Sequence, residues 1–174
     1  SLDSVQPNDF GNVSWPDTTY VAWCWKAGDE IKVVGPGELD TYNASEKWSD
    51  YVSPANSNAN TGFDGNLTSI WADGSVAAGD YITFTPPGGI TFTDTVRVRN
   101  GGVSPATIKF NDGTPVTFPP YEWTTIATGG GTLDSLGVSR GEVTVHGWCA
   151  IEVDGRLLID GPWNQSQVWS DLIV

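Results

Sequence analysis

Four aromatic side chains stand beside turns and not inside apolar runs, and their chemistry suits sugar binding. Trp and Tyr rings can stack on the apolar face of a sugar ring while nearby Asn, Asp and Arg side chains hydrogen-bond with its hydroxyl groups. The sequence therefore predicts a carbohydrate-binding surface, with ordinary packing of the same rings as the alternative. The four candidates are Trp71, Tyr121, Trp123 and Trp163.

Two arginines extend this prediction toward acidic sugars. The segment Thr95-Val96-Arg97-Val98-Arg99 alternates with period two, which places both valines on one face of a strand and both arginines on the other. Outward-facing Arg97 and Arg99 side chains could reach an acidic glycan. The chain carries 21 Asp and Glu against 8 Lys and Arg, so ion pairing with its own carboxylates is the competing expectation.

The net charge and the shortness of the apolar stretches exclude two classes of binding partner. The formal net charge of −13 opposes binding to the phosphate backbone of nucleic acids and to anionic membrane surfaces. No stretch reaches the roughly 20 apolar residues that a membrane-spanning helix needs. We therefore expect neither nucleic acid nor membrane as a direct partner.

Catalytic motifs are poorly supported. Gly137-Val138-Ser139-Arg140-Gly141 matches the nucleophile-elbow motif, but that elbow requires a strand-to-helix turn under a parallel sheet, and the residues after Ser139 have the pattern of a strand. His146, the only histidine, alternates with valines and is expected on a strand surface. We therefore expect no enzyme. A glycosidase using two of the many carboxylates is the remaining enzymatic alternative.

The two cysteines and one acidic turn leave structural alternatives open. Cys24 and Cys149 each adjoin tryptophan, which is compatible with two buried free thiols or with a single bridge, whereas the ligand spacing of a metal site is missing. The segment Asp64-Gly65-Asn66 carries hard oxygen ligands on a tight loop, as calcium prefers. The alternative is an Asx-type turn that opens a strand.

These residues must be positioned by strands. With 21 Gly and 11 Pro, the chain has no sustained helical periodicity, and short period-two runs recur at the regular spacing of a sandwich or barrel. We expect an all-β protein, an antiparallel β-sandwich of jelly-roll type with an extended N-terminal β segment. The predicted strands are Thr19 to Trp25, Glu30 to Val34, Asp80 to Thr85, Thr93 to Arg99, Ala106 to Phe110, Thr114 to Phe118, Glu122 to Ala127, Thr132 to Gly137, Glu142 to Val153 and Arg156 to Asp160.

Turns and composition divide the chain further. Asp112-Gly113 and Asp154-Gly155 are each predicted to supply the positive φ angles of a tight hairpin. A polar stretch follows Gly35-Pro36-Gly37, with one short helical turn predicted within Ser45 to Val52. We therefore place an anchor segment, or the end of a preceding domain, at 1–40 and the sandwich at 41–174.

Five separated motifs occur along the chain in this order: Trp48-Ser49-Asp50-Tyr51-Val52, Phe63-Asp64-Gly65-Asn66-Leu67-Thr68, Ile82-Thr83-Phe84-Thr85-Pro86-Pro87, Val96-Arg97-Val98 and Gly147-Trp148-Cys149-Ala150-Ile151-Glu152-Val153-Asp154-Gly155. In this order they resemble repeats of structural proteins from tailed, especially marine, bacteriophages. The Phe63 motif and Trp71 also resemble discoidin-type, galactose-binding-like modules. Tyr20 to Gly28 is similar to the closing strand of a concanavalin-like sandwich found in the same phage proteins. The Trp48-Ser49-Asp50 tripeptide recurs at Trp169-Ser170-Asp171, as in a tandem array.

The resemblance implies a virion protein, such as a tail fibre or surface decoration, that is assembled in the host cytoplasm and displays its modules on the particle. The implied partners are a host-surface glycan and other copies of the chain or other virion proteins, with a homotrimer as the common form of such fibres. A purely structural role in protein contacts is the alternative. In discoidin-like modules the loop matching Asp64, Asn66 and Thr68 often binds a structural calcium ion.

Overall fold

The computed structural model describes residues 32–39, 41–43, 45–55, 58–69, 79–139 and 147–160. Contacts within the chain divide it into two units, Ser1–Glu30 and Ile31–Val174, and every described residue belongs to the second. The strand predicted at Thr19 to Trp25 and the tripeptide at 169–171 lie outside the described residues. The domain boundary near residue 40 stays a prediction, and Val33–Val34 forms a short strand that pairs with Leu157 and Leu158.

The described residues contain strands and short 3-10 turns. The 3-10 turns cover Pro36–Glu38, Trp48–Tyr51 and Ala59–Gly62, and the second confirms the helical turn expected within Ser45 to Val52. The strands are β1 (Val33–Val34), β2 (Val52–Ser53), β3 (Tyr81–Phe84), β4 (Ile90–Phe92), β5 (Thr95–Asn100), β6 (Ala106–Phe110), β7 (Val116–Phe118), β8 (Trp123–Thr128), β9 (Gly131–Leu133), β10 (Leu136–Ser139), β11 (Trp148–Val153) and β12 (Arg156–Leu158).

Two five-stranded sheets carry the fold. The first sheet has the order β1-β12-β11-β5-β8, the second has β2-β3-β10-β6-β7, and β4 pairs with β9 in a small third sheet. The described pairs are antiparallel except β1 with β12. One apolar cluster draws side chains from all three sheets, as in a sandwich. The all-β antiparallel sandwich is therefore confirmed, while its jelly-roll and discoidin-like character stays a prediction.

Strand β5 shows why the sequence folds this way. Val96 and Val98 are completely buried, whereas Arg97 and Arg99 are partly exposed, as the alternation predicts. The neighbouring strand β11 departs from strict alternation because its pairing shifts by one residue between Trp148 and Ala150. Such a bulge interrupts the alternation of side chains between the two faces. Trp148 enters the core beside Phe63, whereas Cys149 is buried against the Leu67 carbonyl.

An aromatic group fills the centre of the sandwich. Phe63 lies 5.2 Å from Phe84 and 6.1 Å from Trp148 between ring centroids. The Trp48 Nε1–H donates to the Val34 carbonyl at 3.1 Å, which connects the 3-10 turn at 48–51 to β1. Indole rings suit this position since they bury a large apolar area and still satisfy one polar group.

The Asp154-Gly155 hairpin is confirmed. Asp154 and Gly155 have φ values of 50° and 72° and connect β11 to β12. The Asp154 carboxylate accepts hydrogen bonds from the backbone N–H groups of Thr93, Asp94 and Thr95 at 2.8 to 3.0 Å. This turn therefore also fixes the chain where β5 begins.

The Asp112-Gly113 prediction is half right. β6 and β7 do form a hairpin, but the residue with positive φ is Asn111, at 50°, and neither Asp112 nor Gly113. Asn tolerates this conformation better than most residues, and the Asn111 side chain accepts from the Asp134 and Ser135 N–H groups at 2.9 Å. A contact distant in sequence thus selects the position of the turn.

The strand predicted over Thr132 to Gly137 is wrong as a single element. It divides into β9 and β10, which belong to different sheets. Asp134 and Ser135 separate the two strands and bind Asn111 through their N–H groups. Strand β4 has no clear signal in the sequence, because it consists of only the three residues between the Gly88-Gly89 turn and Thr93.

The carboxylate of Asp154 gives a testable contribution to stability. Burial raises its pKa, but the hydrogen bonds from Thr93 to Thr95 outweigh burial and hold the pKa below its ordinary value. The stability that this group supplies is thus complete above the unfolded pKa of about 4 and is lost as pH falls through the lower folded pKa.

We expect Asp154→Asn to lower the free energy of unfolding by about 2 kcal/mol at pH 7, because charge-assisted hydrogen bonds are lost. The measurement is urea unfolding from pH 7 to pH 2, and the difference from the unsubstituted protein should shrink below about pH 4. Asp112→Asn is the matched control on an exposed turn and should cost under about 0.5 kcal/mol. Equal effects of the two substitutions would contradict the role of Asp154.

Candidate functional site

Three of the predicted sugar-binding residues meet on the outer face of the first sheet. Arg97 and Arg99 project from β5, and Trp123 begins β8 directly opposite Arg99 in the strand register. Tyr121 lies in the turn just before β8. Trp71 and Trp163 lie outside the described residues. We call this surface the outer site; it consists of Arg97, Arg99, Trp123 and the neighbouring β11 residues.

Arg97 forms the ion pair that the excess of acids predicts. Its Nε and Nη2 atoms donate to the two carboxylate oxygens of Glu152 at 2.7 and 2.6 Å, and Glu152 is its cross-strand neighbour on β11. The two side chains are 39% and 13% exposed, so the pair is partly shielded from water. Hydrogen bonding to Glu152 raises the pKa of Arg97, although burial acts in the opposite direction. Its charge is therefore largely neutralised.

The same guanidinium covers the indole of Trp123. The Arg97 Cζ atom lies 4.9 Å from the ring centroid, within the range of a cation–π contact. Glu152 thus holds Arg97, and Arg97 in turn fixes the orientation of Trp123. These contacts hold the Trp123 ring in one orientation in the absence of a ligand.

Arg99 has a different environment. Its Nε–H donates to the Leu67 carbonyl at 3.0 Å, and the Cys149 thiol lies against the same oxygen, with Sγ at 3.2 Å. Burial raises the pKa of that thiol to about 11, although the charge of Arg99 acts to lower it. Arg99 forms no ion pair with any described residue. The loop containing Leu67 is therefore anchored on β5 and β11 at the edge of the outer site.

An apolar patch supports this loop. Ala150, Leu157 and Ile159 are buried on the outer side of the first sheet, with Leu67 and Trp123 packed against them. Gly65 has φ of 78°, and a Cβ atom there would lie 2.8 Å from the Ile159 side chain. Glycine thus permits both the turn and the close approach of the loop to the sheet.

The Asp64 loop has the hydrogen bonds of consecutive Asx turns. Asp64 Oδ1 accepts from the Asn66 N–H at 2.7 Å, and Asn66 Oδ1 accepts from the Thr68 N–H at 3.0 Å. Asp64 Oδ2 and Asn66 Oδ1 also accept from the hydroxyl groups of Ser69 and Thr68. The oxygens that would bind calcium are therefore engaged within the loop, with one carboxylate among them.

That donor set fits a turn better than it fits a calcium ion, which commonly takes six to eight oxygen ligands, several of them carboxylate. In the part of the chain that the structure describes, no group of three His, Cys, Asp or Glu side chains could hold a metal ion.

Tyr121 is presented to solvent by its backbone. Its φ of 58° is uncommon for a bulky residue, and the side chain is 50% exposed. The buried Asn100 stabilises the adjoining loops, since its side-chain amide donates to the Phe118 carbonyl at 2.9 Å and its backbone N–H donates to the Glu122 carbonyl at 3.1 Å. An exposed ring on a restrained turn is available for contact.

Ser139 lies within β10, between β3 and β6 in the antiparallel second sheet. A nucleophile elbow would need a strand-to-helix turn at this position. His146 lies outside the described residues. The expectation of a non-catalytic protein therefore stays a prediction.

Sequence reasoning missed two parts of the outer site, Glu152 and the Leu67 carbonyl. The Glu152 position could have been found from the alternation of Ile151 and Val153 around it, which places Glu152 on the face opposite the core. The approach of the Leu67 carbonyl to Arg99 has no local signal, because the two residues are 32 positions apart in the chain.

A search of protein-family models, curated proteins and solved structures finds no match for this chain. Among the described residues no helix is long and apolar enough to cross a membrane. The evidence for function is therefore the geometry of the outer site and the resemblance in the sequence.

The buried thiol gives one prediction. Cys149 is a free cysteine with 1% exposure, and Cys24 lies outside the described residues, so a Cys24→Ser variant isolates its chemistry. We expect Ellman's reagent to leave the native variant unmodified at pH 8, because the thiol is inaccessible and protonated, and to titrate one thiol after unfolding in urea. A control carrying Ser53→Cys on the exposed edge should react at once. Rapid labelling of native Cys149 would contradict its placement under the Leu67 loop.

The Asp64 loop gives another prediction. Because its oxygen atoms are engaged in turns, we expect the melting temperature to be the same in excess calcium and in excess chelator. Thermal unfolding followed by circular dichroism measures this directly. A melting temperature that rises and saturates with added calcium would instead establish a site on the folded state, and Asp64→Asn should then abolish the rise.

Proposed function

We propose that this chain is a non-catalytic β-sandwich module of a phage virion that binds a host-surface glycan through the outer site. The observation that carries the proposal is the arrangement of Trp123, Arg97 and Arg99 on one face of the first sheet. Its three side chains offer an aromatic ring and cationic hydrogen-bond donors, the combination that recognises sugars. The virion context is supported by the resemblance of the sequence to phage structural repeats.

Pre-organisation favours binding at this place. Trp123 is fixed from one side by Arg97 and packs against the apolar patch under the Leu67 loop. A ring ordered in advance loses little conformational entropy when a ligand arrives. Tyr121 stands two residues before Trp123 and is half exposed, so it provides a second aromatic contact from the adjoining turn.

A structural role in assembly is favoured by a separate observation on the second sheet. Strand β7 forms one edge of that sheet, and Val116 within it is 46% exposed. Exposed apolar edges of this kind pair with other chains. Assembly through β7 would leave the outer site free, so one fibre module could assemble and bind glycan at once.

A glycan array with the whole protein tests the proposal. We expect binding to a defined set of host glycans and a loss of at least about tenfold in affinity for Trp123→Ala, equivalent to about 1.4 kcal/mol. Trp123→Phe should retain part of the affinity, because a smaller ring still stacks. Val116→Ala removes an exposed apolar side chain on the other sheet and should leave glycan binding unchanged.

Melting temperatures of all the variants establish that they are folded. Absence of binding to any host glycan, with native mass changed by Val116→Asp, would favour the assembly role instead. Release of reducing ends from host polysaccharide would overturn the non-catalytic assignment.

A further inference from the structure

We infer that Arg99, and not Arg97, receives the carboxylate of an acidic sugar at the outer site. This inference rests on the proposed function and adds the substrate class, a glycan that carries uronic or sialic acid. The two arginines share a strand and a face, but their surroundings divide their roles.

Among the described arginines, Arg99 is the one without an ion pair to a described residue. Arg97 pairs with Glu152 at 2.6 Å and Arg156 with Glu38 at 3.6 Å. In a chain with a formal net charge of −13, carboxylates are abundant, yet none among the described residues accepts a hydrogen bond from Arg99. Its positive charge is thus available to a ligand, while that of Arg97 is already balanced.

The Nη groups of Arg99 also have no carboxylate partner among the described residues. Its Nε–H donates to the neutral Leu67 carbonyl, which holds the side chain without cancelling its charge. Asp64 is the acidic residue of the same loop, and its charge, like that of Arg99, acts on the Cys149 thiol. Its two oxygens accept from the Asn66 N–H and the Ser69 hydroxyl at 2.7 Å, and it forms no ion pair with Arg99. A carboxylate of the ligand could therefore bind the Nη atoms in the bidentate geometry that guanidinium groups favour.

Trp123 lies beside Arg99, in a position to contact the ring of such a sugar. It pairs with Arg99 across β5 and β8, and directly opposed side chains have Cβ atoms about 5 Å apart. In a hexuronic acid the carboxylate is joined to the sugar ring itself. Trp123 is partly exposed, so one residue of ligand can contact the part of the indole that Arg97 does not cover and bind Arg99 with its acid group.

Calorimetric titration with paired ligands tests the inference on the full chain. The probes are oligogalacturonate, oligoalginate and sialyllactose, each compared with its carboxyl methyl ester, and a sulfated galactan distinguishes carboxylate from sulfate. We expect at least one acid to bind tenfold or more tightly than its ester. Arg99→Gln should abolish this preference and Arg99→Lys should keep part of it.

Lys109→Gln is the matched control, since it removes one positive charge from the second sheet and should leave the preference intact. Equal loss in Arg99→Gln and Lys109→Gln would overturn the inference in favour of general electrostatics, as would preference for the sulfated galactan. Equal binding of acid and ester that still requires Trp123 would overturn this inference and leave the proposed function standing. Absence of binding to every glycan would remove both. If Arg99→Gln fails to fold, Arg99→Lys decides, and an acid-to-ester ratio in that variant equal to the ratio of the unsubstituted protein would overturn the inference.

Discussion

The register of β5 is the constraint on which the rest of the structure depends. The strand lies between β11 and β8, and its alternation sends Val96 and Val98 into the core and Arg97 and Arg99 to the outer face. A slip of one residue would bury two guanidinium groups and expose two valines, at a cost that no sheet of this size would tolerate. The six residues of β5 thus contribute to both the core and the outer site.

Two features outside β5 hold that register. The Asp154 carboxylate binds the N–H groups at the start of the strand, and the Arg97–Glu152 pair connects the middle of the strand to β11. The bulge at Cys149 then lets Trp148 enter the core beside Phe63 while Ala150 stays opposite Arg99. Because of this bulge, β11 contributes both to the aromatic centre and to the apolar patch under the Leu67 loop.

The sequence predicts those parts of the fold that depend on local chemistry. Alternation located β5, and Asp154-Gly155 located the hairpin between β11 and β12, since both signals are carried by adjacent residues. The break between β9 and β10 and the turn at Asn111 escaped prediction because they depend on hydrogen bonds across 23 and 24 residues. The candidate site divides in the same way. Its arginines and Trp123 follow from alternation and turn position, whereas the contact of Arg99 with Leu67 follows only from the packing of the folded chain.

An acidic ligand and an acidic protein are compatible because electrostatic effects in a salt solution are local. Charges farther apart than the Debye length of about 8 Å at physiological ionic strength are largely screened, so the net charge of −13 acts weakly on a ligand already in contact. Within that distance, the Arg97–Glu152 pair is balanced, and the oxygens of Asp64 face their own loop. The charges of Arg99 and Asp64 both act on the Cys149 thiol, but Arg99 forms no ion pair with any described residue, so its guanidinium is the group that a ligand carboxylate in contact would bind. The net charge of the chain therefore governs the rate of encounter, which repulsion slows, while the pairing of individual side chains governs what can stay bound.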